Sequence, residues 1–215
     1  MTTKVYPKGA QGFLDGSIDF NTGVLKAYGI KGYTYSDTHT SVSDLLSAGA
    51  TVLSTTVALT TPTVTDGVAS VDNFTFTAVT TDATGITAIV IVQSSAPTGG
   101  SDVADASKRL ISFYDGKVGV TCAAAASTSA TSIRVDPLDS AITNGSTVVF
   151  GAVTATLTSG ASANDRVLLV SAISGGISEG ATGISSAQGN LPIPTNGGDI
   201  NVIVGTVAGI KLFAI

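Results

Sequence analysis

From Ala50 onward hydrophobic positions in this chain alternate with polar ones in several segments, and one short stretch before it carries a helix signal instead. Phe74, Phe76 and Ala78 share one face of an extended segment and Asn73, Thr75 and Thr77 the other, the pattern of a half-buried strand. Val52 and Val57–Leu59 mark strand segments before it, and Val24–Ile30 and Arg109–Tyr114 read as further strands, the second ending at the Asp115-Gly116 turn. Ile86–Gln93 is more continuously apolar and predicts a strand buried on both faces. Beyond the turn-forming Thr195–Asp199, Ile200, Val202 and Val204 alternate again, and Ile210–Ile215 closes the sheet. Asp15-Gly16, Asn21–Gly23 and Asp66-Gly67 are turn signals, and Ala96–Ser107 reads as a loop. The exception to the alternation is Ser41–Ser47. Ser41 stands three residues before Asp44, the spacing of a capping box, and Gly49 follows as a stop, so one helix of about two turns is expected.

Between Val120 and Gln188 the chain repeats itself at a shift of 35 residues. Val135, Leu138, Ile142 and Gly145 recur as Val170, Ile173, Ile177 and Gly180, and Thr121 and Ala126 as Thr156 and Ala161. Each copy reads as strand, small-residue turn (Ala123–Ser129, Ser159–Asn164), strand (Ser132–Val135, Arg166–Val170) and a loop ending in glycine. The repeat also changes the composition: Phe150 is its only aromatic residue, so its core is thin, and the two copies are expected to pack on each other or on neighbouring subunits. The sequence thus predicts an all-β protein. An antiparallel sandwich-like or barrel-like host domain with one short helix spans 1–119 plus 189–215, and a two-copy β-rich module is inserted over 120–188.

Composition narrows the function classes. Glu179 is the only glutamate and lysines are few, which leaves little to cover helix faces, whereas Thr and Val suit strands. A net charge of −5 with no basic cluster argues against a nucleic-acid partner. No run of 18 apolar residues exists to make a membrane helix, and Met1–Phe13 lacks the apolar region of a secretory signal. Cys122 stands alone, which fits synthesis in a reducing compartment.

Candidate chemistry is sparse. His39, the only histidine, lies in a polar Asp37–Thr40 stretch and reads as a surface or capping residue rather than a catalytic base. Cys122 reads as a buried thiol, and one Cys with one His cannot form a zinc site within the chain. Asp102 with Asp105, and Asp136 with Asp139, place carboxylates in loops but lack the ligand spacing of an EF-hand, so turn and capping roles are expected. Gly175-Gly176 and Gly197-Gly198 lack a phosphate-binding context and read as turns. No catalytic, cofactor or metal residue is assigned, and the protein is not expected to be an enzyme.

Outside the repeat the chain resembles a family of small structural proteins of tailed bacteriophages. The resemblance rests on Phe13–Asp19, Gly32–Ser36 with His39, Thr63–Val68, Asn73–Val79, Leu110–Asp115, Leu191–Ile200 and Gly209–Phe213. In that family the Phe-Tyr-Asp strand runs almost directly into the Leu-Pro-x-x-Pro-Asn-Gly-Gly-Asp-type segment, so the repeat interrupts one hairpin connection here. This chain departs from the family in reading Val204-Gly205 where a tryptophan is usual. The Val135–Leu138 pattern also resembles small β-modules appended to phage virion proteins. The resemblance implies a structural component of the virion, and the expected role is a capsid decoration (cement) protein on the outer surface of the head, a homotrimer partnered with the major capsid protein and assembled in the bacterial cytoplasm. The alternative is a tail-associated fibre, spike or adaptor whose insert contacts the host surface.

Overall fold

The computed structural model describes residues 4–20, 22–54, 56–65, 68–138, 140–186, 193–195, 197–202 and 213–214. The chain divides into two compact units, Asp115–Leu191 and Thr3–Tyr114 with Pro192–Ile215. Elements of the larger unit are, in order, β1 (Lys4–Val5), α1 (Pro7–Leu14), β2 (Leu25–Lys31), α2 (Val42–Ser47), β3 (Thr51–Val52) and β4 (Val57–Ala58). There follow β5 (Thr63–Thr65), β6 (Val68–Ser70), β7 (Phe74–Phe76), β8 (Asp82–Ile86), β9 (Ala88–Gln93) and β10 (Arg109–Tyr114). The smaller unit holds β11 (Gly119–Thr121), β12 (Ser132–Arg134), β13 (Thr147–Phe150), β14 (Val153–Thr156), β15 (Val167–Leu169) and β16 (Thr182–Ser185). The chain then returns to the larger unit with β17 (Ile193–Thr195), β18 (Ile200–Val202) and β19 (Phe213–Ala214). The fold is all-β, and every strand pairing among the described residues is antiparallel. No helix among the described residues is long and apolar enough to cross a membrane.

The main sheet of the larger unit runs β1-β10-β9-β2-β3, with β4 pairing on β2 as well. β9 is buried at all six positions, as its continuous apolar run requires of a central strand. On one face Tyr28, Ile30, Val90, Val92, Leu110 and Phe113 pack with Tyr6, Tyr33, Val42 and Leu45. The 86–93 run is broken at Thr87, which separates β8 from β9. Phe74 and Phe76 are inward as the alternation predicts, but it stops there: Ala78 is exposed with φ 48°. The Asp66-Gly67 turn, Val204, Ile210–Leu212 and Ile215 lie outside the described residues.

α2 forms where the capping signal stands. The Asp44 carboxylate accepts the Ser41 N–H at 2.9 Å and the Thr40 N–H at 2.8 Å, and Gly49 follows with φ 93°. α1 was not expected, so the larger unit has two short α-helices rather than one, besides a 3₁₀ turn at Asp105–Ser107. Its sequence, Pro-Lys-Gly-Ala-Gln-Gly-Phe-Leu, has poor intrinsic helix propensity because of its two glycines. Packing explains them: a Cβ on Gly9 would lie 2.5 Å from the Leu110 carbonyl oxygen, and one on Gly12 would lie 2.7 Å from Ile18 Cδ1. The glycines weaken the helix, but Gly9 lets it lie directly on β10 and Gly12 makes room for Ile18.

The smaller unit is one interleaved fold rather than two packed modules. Its sheet runs β11-β16-β13-β14, and β12 pairs separately with β15. Among the described residues every strand pairing joins one copy of the repeat to the other, and within a copy only the isolated bridges Cys122↔Val135 and Leu157↔Val170 occur. A local two-fold relates the halves. Ala126↔Ile177 maps onto Ile142↔Ala161 under the 35-residue shift, and the β11–β16 pairing maps onto β13–β14. Ile133↔Leu168 and Val149↔Ile184 join equivalent positions and so lie on the axis. Turn conformations repeat too, with positive φ at Ser129 (68°) and Asn164 (70°) and at Gly145 (79°) and Gly180 (76°). The unit reaches beyond 120–188 because Val118 is fully buried in its core and exchanges hydrogen bonds with Ser185.

Candidate functional site

The four-stranded sheet of the smaller unit has two chemically distinct faces. Val120, Val148, Phe150 and Ala155 point into the core, where Ile133 and Leu168 of the β12–β15 ribbon meet them. Thr121, Thr147, Val149, Thr154, Thr156, Thr182 and Ile184 occupy the alternate positions and are exposed or half-buried. Register places Val149 opposite Ile184, Thr121 opposite Thr182 and Thr147 opposite Thr156. The result is an uncharged surface: an aliphatic pair on the local axis, 44% and 52% exposed, flanked by cross-strand threonine pairs. The ribbon exposes Val167 (43%) and Leu169 (51%) beside Arg134 and Ser132. Four of the six large hydrophobic side chains that are exposed among the described residues belong to this unit. These residues went unnoticed in the sequence because Thr147–Phe150 and Arg166–Val170 are nearly continuous apolar runs, which hide which positions face out.

The residues singled out for chemistry do not converge. His39 Nδ1 lies 2.9 Å from the Tyr33 hydroxyl, with the two rings 5.6 Å apart. The Tyr33 oxygen also accepts from the Tyr6 hydroxyl and the Ser36 N–H, which joins His39 to Tyr6 through Tyr33. The ring therefore braces an aromatic cluster in which Tyr6, held protonated by burial and by the Tyr33 bond, also stacks on Tyr35. Cys122 is 1% exposed, its Sγ lies 3.4 Å from the Ala124 carbonyl, and burial pushes its thiol upward in pKa.

Asp102 and Asp105 are joined through lysine rather than through open ligand positions. Lys108 Nζ lies 2.8 Å from Asp105 and 3.8 Å from Asp102, while Asp102 also takes Lys26 at 2.7 Å and the Ser94 hydroxyl at 3.1 Å. The Lys26 bond above all holds the Asp102 carboxyl below its ordinary range. Asp136 is exposed, its N–H bonded to the Thr121 carbonyl, and Asp139 lies outside the described residues. Among the described residues no three His, Cys, Asp or Glu side chains form a metal-binding group. Gly175 lies in a bend with Ser174, and Gly197 has φ 88°. What the smaller unit offers is a contact surface of aliphatic and hydroxyl groups. No family model, curated protein or solved structure matches this chain.

Proposed function

We propose that this chain is a bacteriophage capsid decoration (cement) protein that binds the outer surface of the head as a homotrimer and stabilises the mature shell. The observation that carries the reading is the aliphatic pair Val149 and Ile184, exposed on a sheet face that otherwise presents threonine, with Val167 and Leu169 also exposed on the ribbon. An exposed apolar patch on a rigid β scaffold is the chemistry of a protein contact. The resemblance described above points the same way: Leu110–Tyr114 forms β10, and the chain departs into the inserted unit immediately after it. A protein that binds only the assembled shell stabilises that state by its binding free energy. Co-sedimentation of the purified protein with isolated expanded heads lacking it, alongside isolated tails and with light scattering for the oligomer, tests the proposal. Saturable binding to heads by a trimer is expected. Binding only to tails or to host cells, or a monomer at micromolar concentration, overturns it.

A further inference from the structure

A second feature lies entirely within the larger unit. Lys8, Thr40, Ser41, Ala106, Ser107 and Arg109 line a depression of about 410 Å³. Its floor is set by backbone pairing: Ser41 bridges Arg109, Leu110 N–H donates to the Thr40 carbonyl, and Val42 N–H donates to the Lys108 carbonyl. Its wall is α1, seated against β10 by the missing Cβ of Gly9, so that Lys8 and Arg109 reach the same space.

The charges there are unbalanced. Asp44 already takes the Thr40 and Ser41 N–H groups and the Thr40 hydroxyl, and Asp105, next to Ala106, takes Lys108. Asp15, which Arg109 and Lys8 stabilise at longer range, takes both the N–H and the hydroxyl of Ser17. The cations are not matched in this way. Lys8 donates to the neutral Gln11 amide oxygen at 2.8 Å, and among the described residues neither the Arg109 guanidinium nor the Ser107 hydroxyl has a hydrogen-bond partner. The first turn of α1 begins at Tyr6 without a side-chain cap, which leaves the positive end of the helix dipole beside Lys8.

We infer that this depression is an oxyanion-binding site, with Arg109 and Lys8 neutralising a carboxylate or phosphate group and the Ser107 hydroxyl donating to it. A planar guanidinium suits bidentate binding of either anion. The inference does not depend on the decoration reading, and its test uses the purified full chain without heads or tails.

The test is an amide NMR titration with inorganic phosphate and, separately, with a short glutamate-rich peptide. Saturable shifts confined to Lys8, Thr40, Ser41 and Ser107–Arg109, weakened by salt, are expected. Arg109→Gln and Lys8→Gln should each weaken binding roughly tenfold, the loss of one charged hydrogen bond. Gly9→Ala, which moves α1 off β10, should weaken it as well. Tighter binding of the peptide would identify a protein carboxylate as the ligand, and tighter binding of phosphate a phosphorylated one; both support the site. No localised shift up to about 100 mM phosphate or millimolar peptide, or identical titration of the Arg109→Gln protein, overturns it.

Discussion

Gly183→Ala is the sharpest probe of the interleaved unit, because the local two-fold is broken there. Gly183 is the counterpart of Val148, and Phe150 the counterpart of Ser185, under the 35-residue shift. Phe150 uses the space that a second valine would fill: a Cβ on Gly183 would lie 2.7 Å from both Cδ1 and Cε1 of the ring. Ordinary carbon contact begins near 3.5 Å, so the ring or strand must move by roughly 0.8 Å. Overpacking of this kind costs about 1–3 kcal/mol. Gly183 does not have positive φ, so reduced freedom of the unfolded chain returns about 0.4–1 kcal/mol. Taking the middle of each range, the net expectation is a loss of about 1.3 kcal/mol, or roughly 5–10 °C in the melting temperature of a unit of this size.

Calorimetry with amide hydrogen exchange is the assay. All five tyrosines, Tyr6, Tyr28, Tyr33, Tyr35 and Tyr114, lie in the larger unit, so tyrosine emission reports that unit and not the site of the change. Phe150→Leu in the same chain should relieve the clash, making the pair less damaging than the sum of the single changes by at least about 0.5 kcal/mol. A Gly183→Ala protein within roughly 0.3 kcal/mol of the parent, or strict additivity with Phe150→Leu, would refute the packing argument.

Three further outcomes follow from the structure. Ile133→Ala and Leu168→Ala remove fully buried partners on the local axis, so each should cost about 2–5 kcal/mol in urea unfolding and by similar amounts; a large asymmetry would count against the two-fold description. The Asp44 carboxyl, held below the ordinary 3.8 chiefly by the Thr40 N–H, is charged in the fold at lower pH than in the unfolded chain. Its contribution is therefore present above that ordinary value and lost as pH falls through the folded one, so urea midpoints for Asp44→Asn should be lower than the parent's at neutral pH and converge with them in acid. Ser112, with no exposure and a hydroxyl that has no partner among the described residues, should tolerate replacement by alanine with a change between zero and about 1 kcal/mol of stabilisation; clear destabilisation would refute the unpartnered hydroxyl.

Much of the strand content was legible because β-strands write a period of two into the chain. Phe74/Phe76, Leu25–Lys31 and Arg109–Tyr114 fall where alternation or an apolar run places them, and Ser41 with Asp44 marks α2 through a bond that spans three residues. α1 was illegible for the opposite reason. Its glycines argue against a helix locally and are explained only by what packs on them, Ile18 on Gly12 and, on Gly9, the Leu110 carbonyl 101 residues further along the chain. The depression at Arg109 was hidden likewise, since Lys8, Ser41 and Ser107 meet only after β10 is flanked by α1 and by the Thr40–Val42 segment.

The sequence by itself determined the all-β class and a 35-residue repeat with two equivalent halves, because composition, alternation and period are properties of the chain alone, whereas the unit's reach to Val118 depends on packing. Whether those halves would fold side by side or through one another was decided only in three dimensions. Antiparallel pairing such as Ile133 with Leu168 satisfies each strand's backbone with the other copy, and a repeat specifies equally well a partner within itself and one in its twin. The same pairing decides which aliphatic residues are left outside: Val149 and Ile184 face out because Val148, Phe150 and Gly183 fill the single shared core between the sheet and the ribbon.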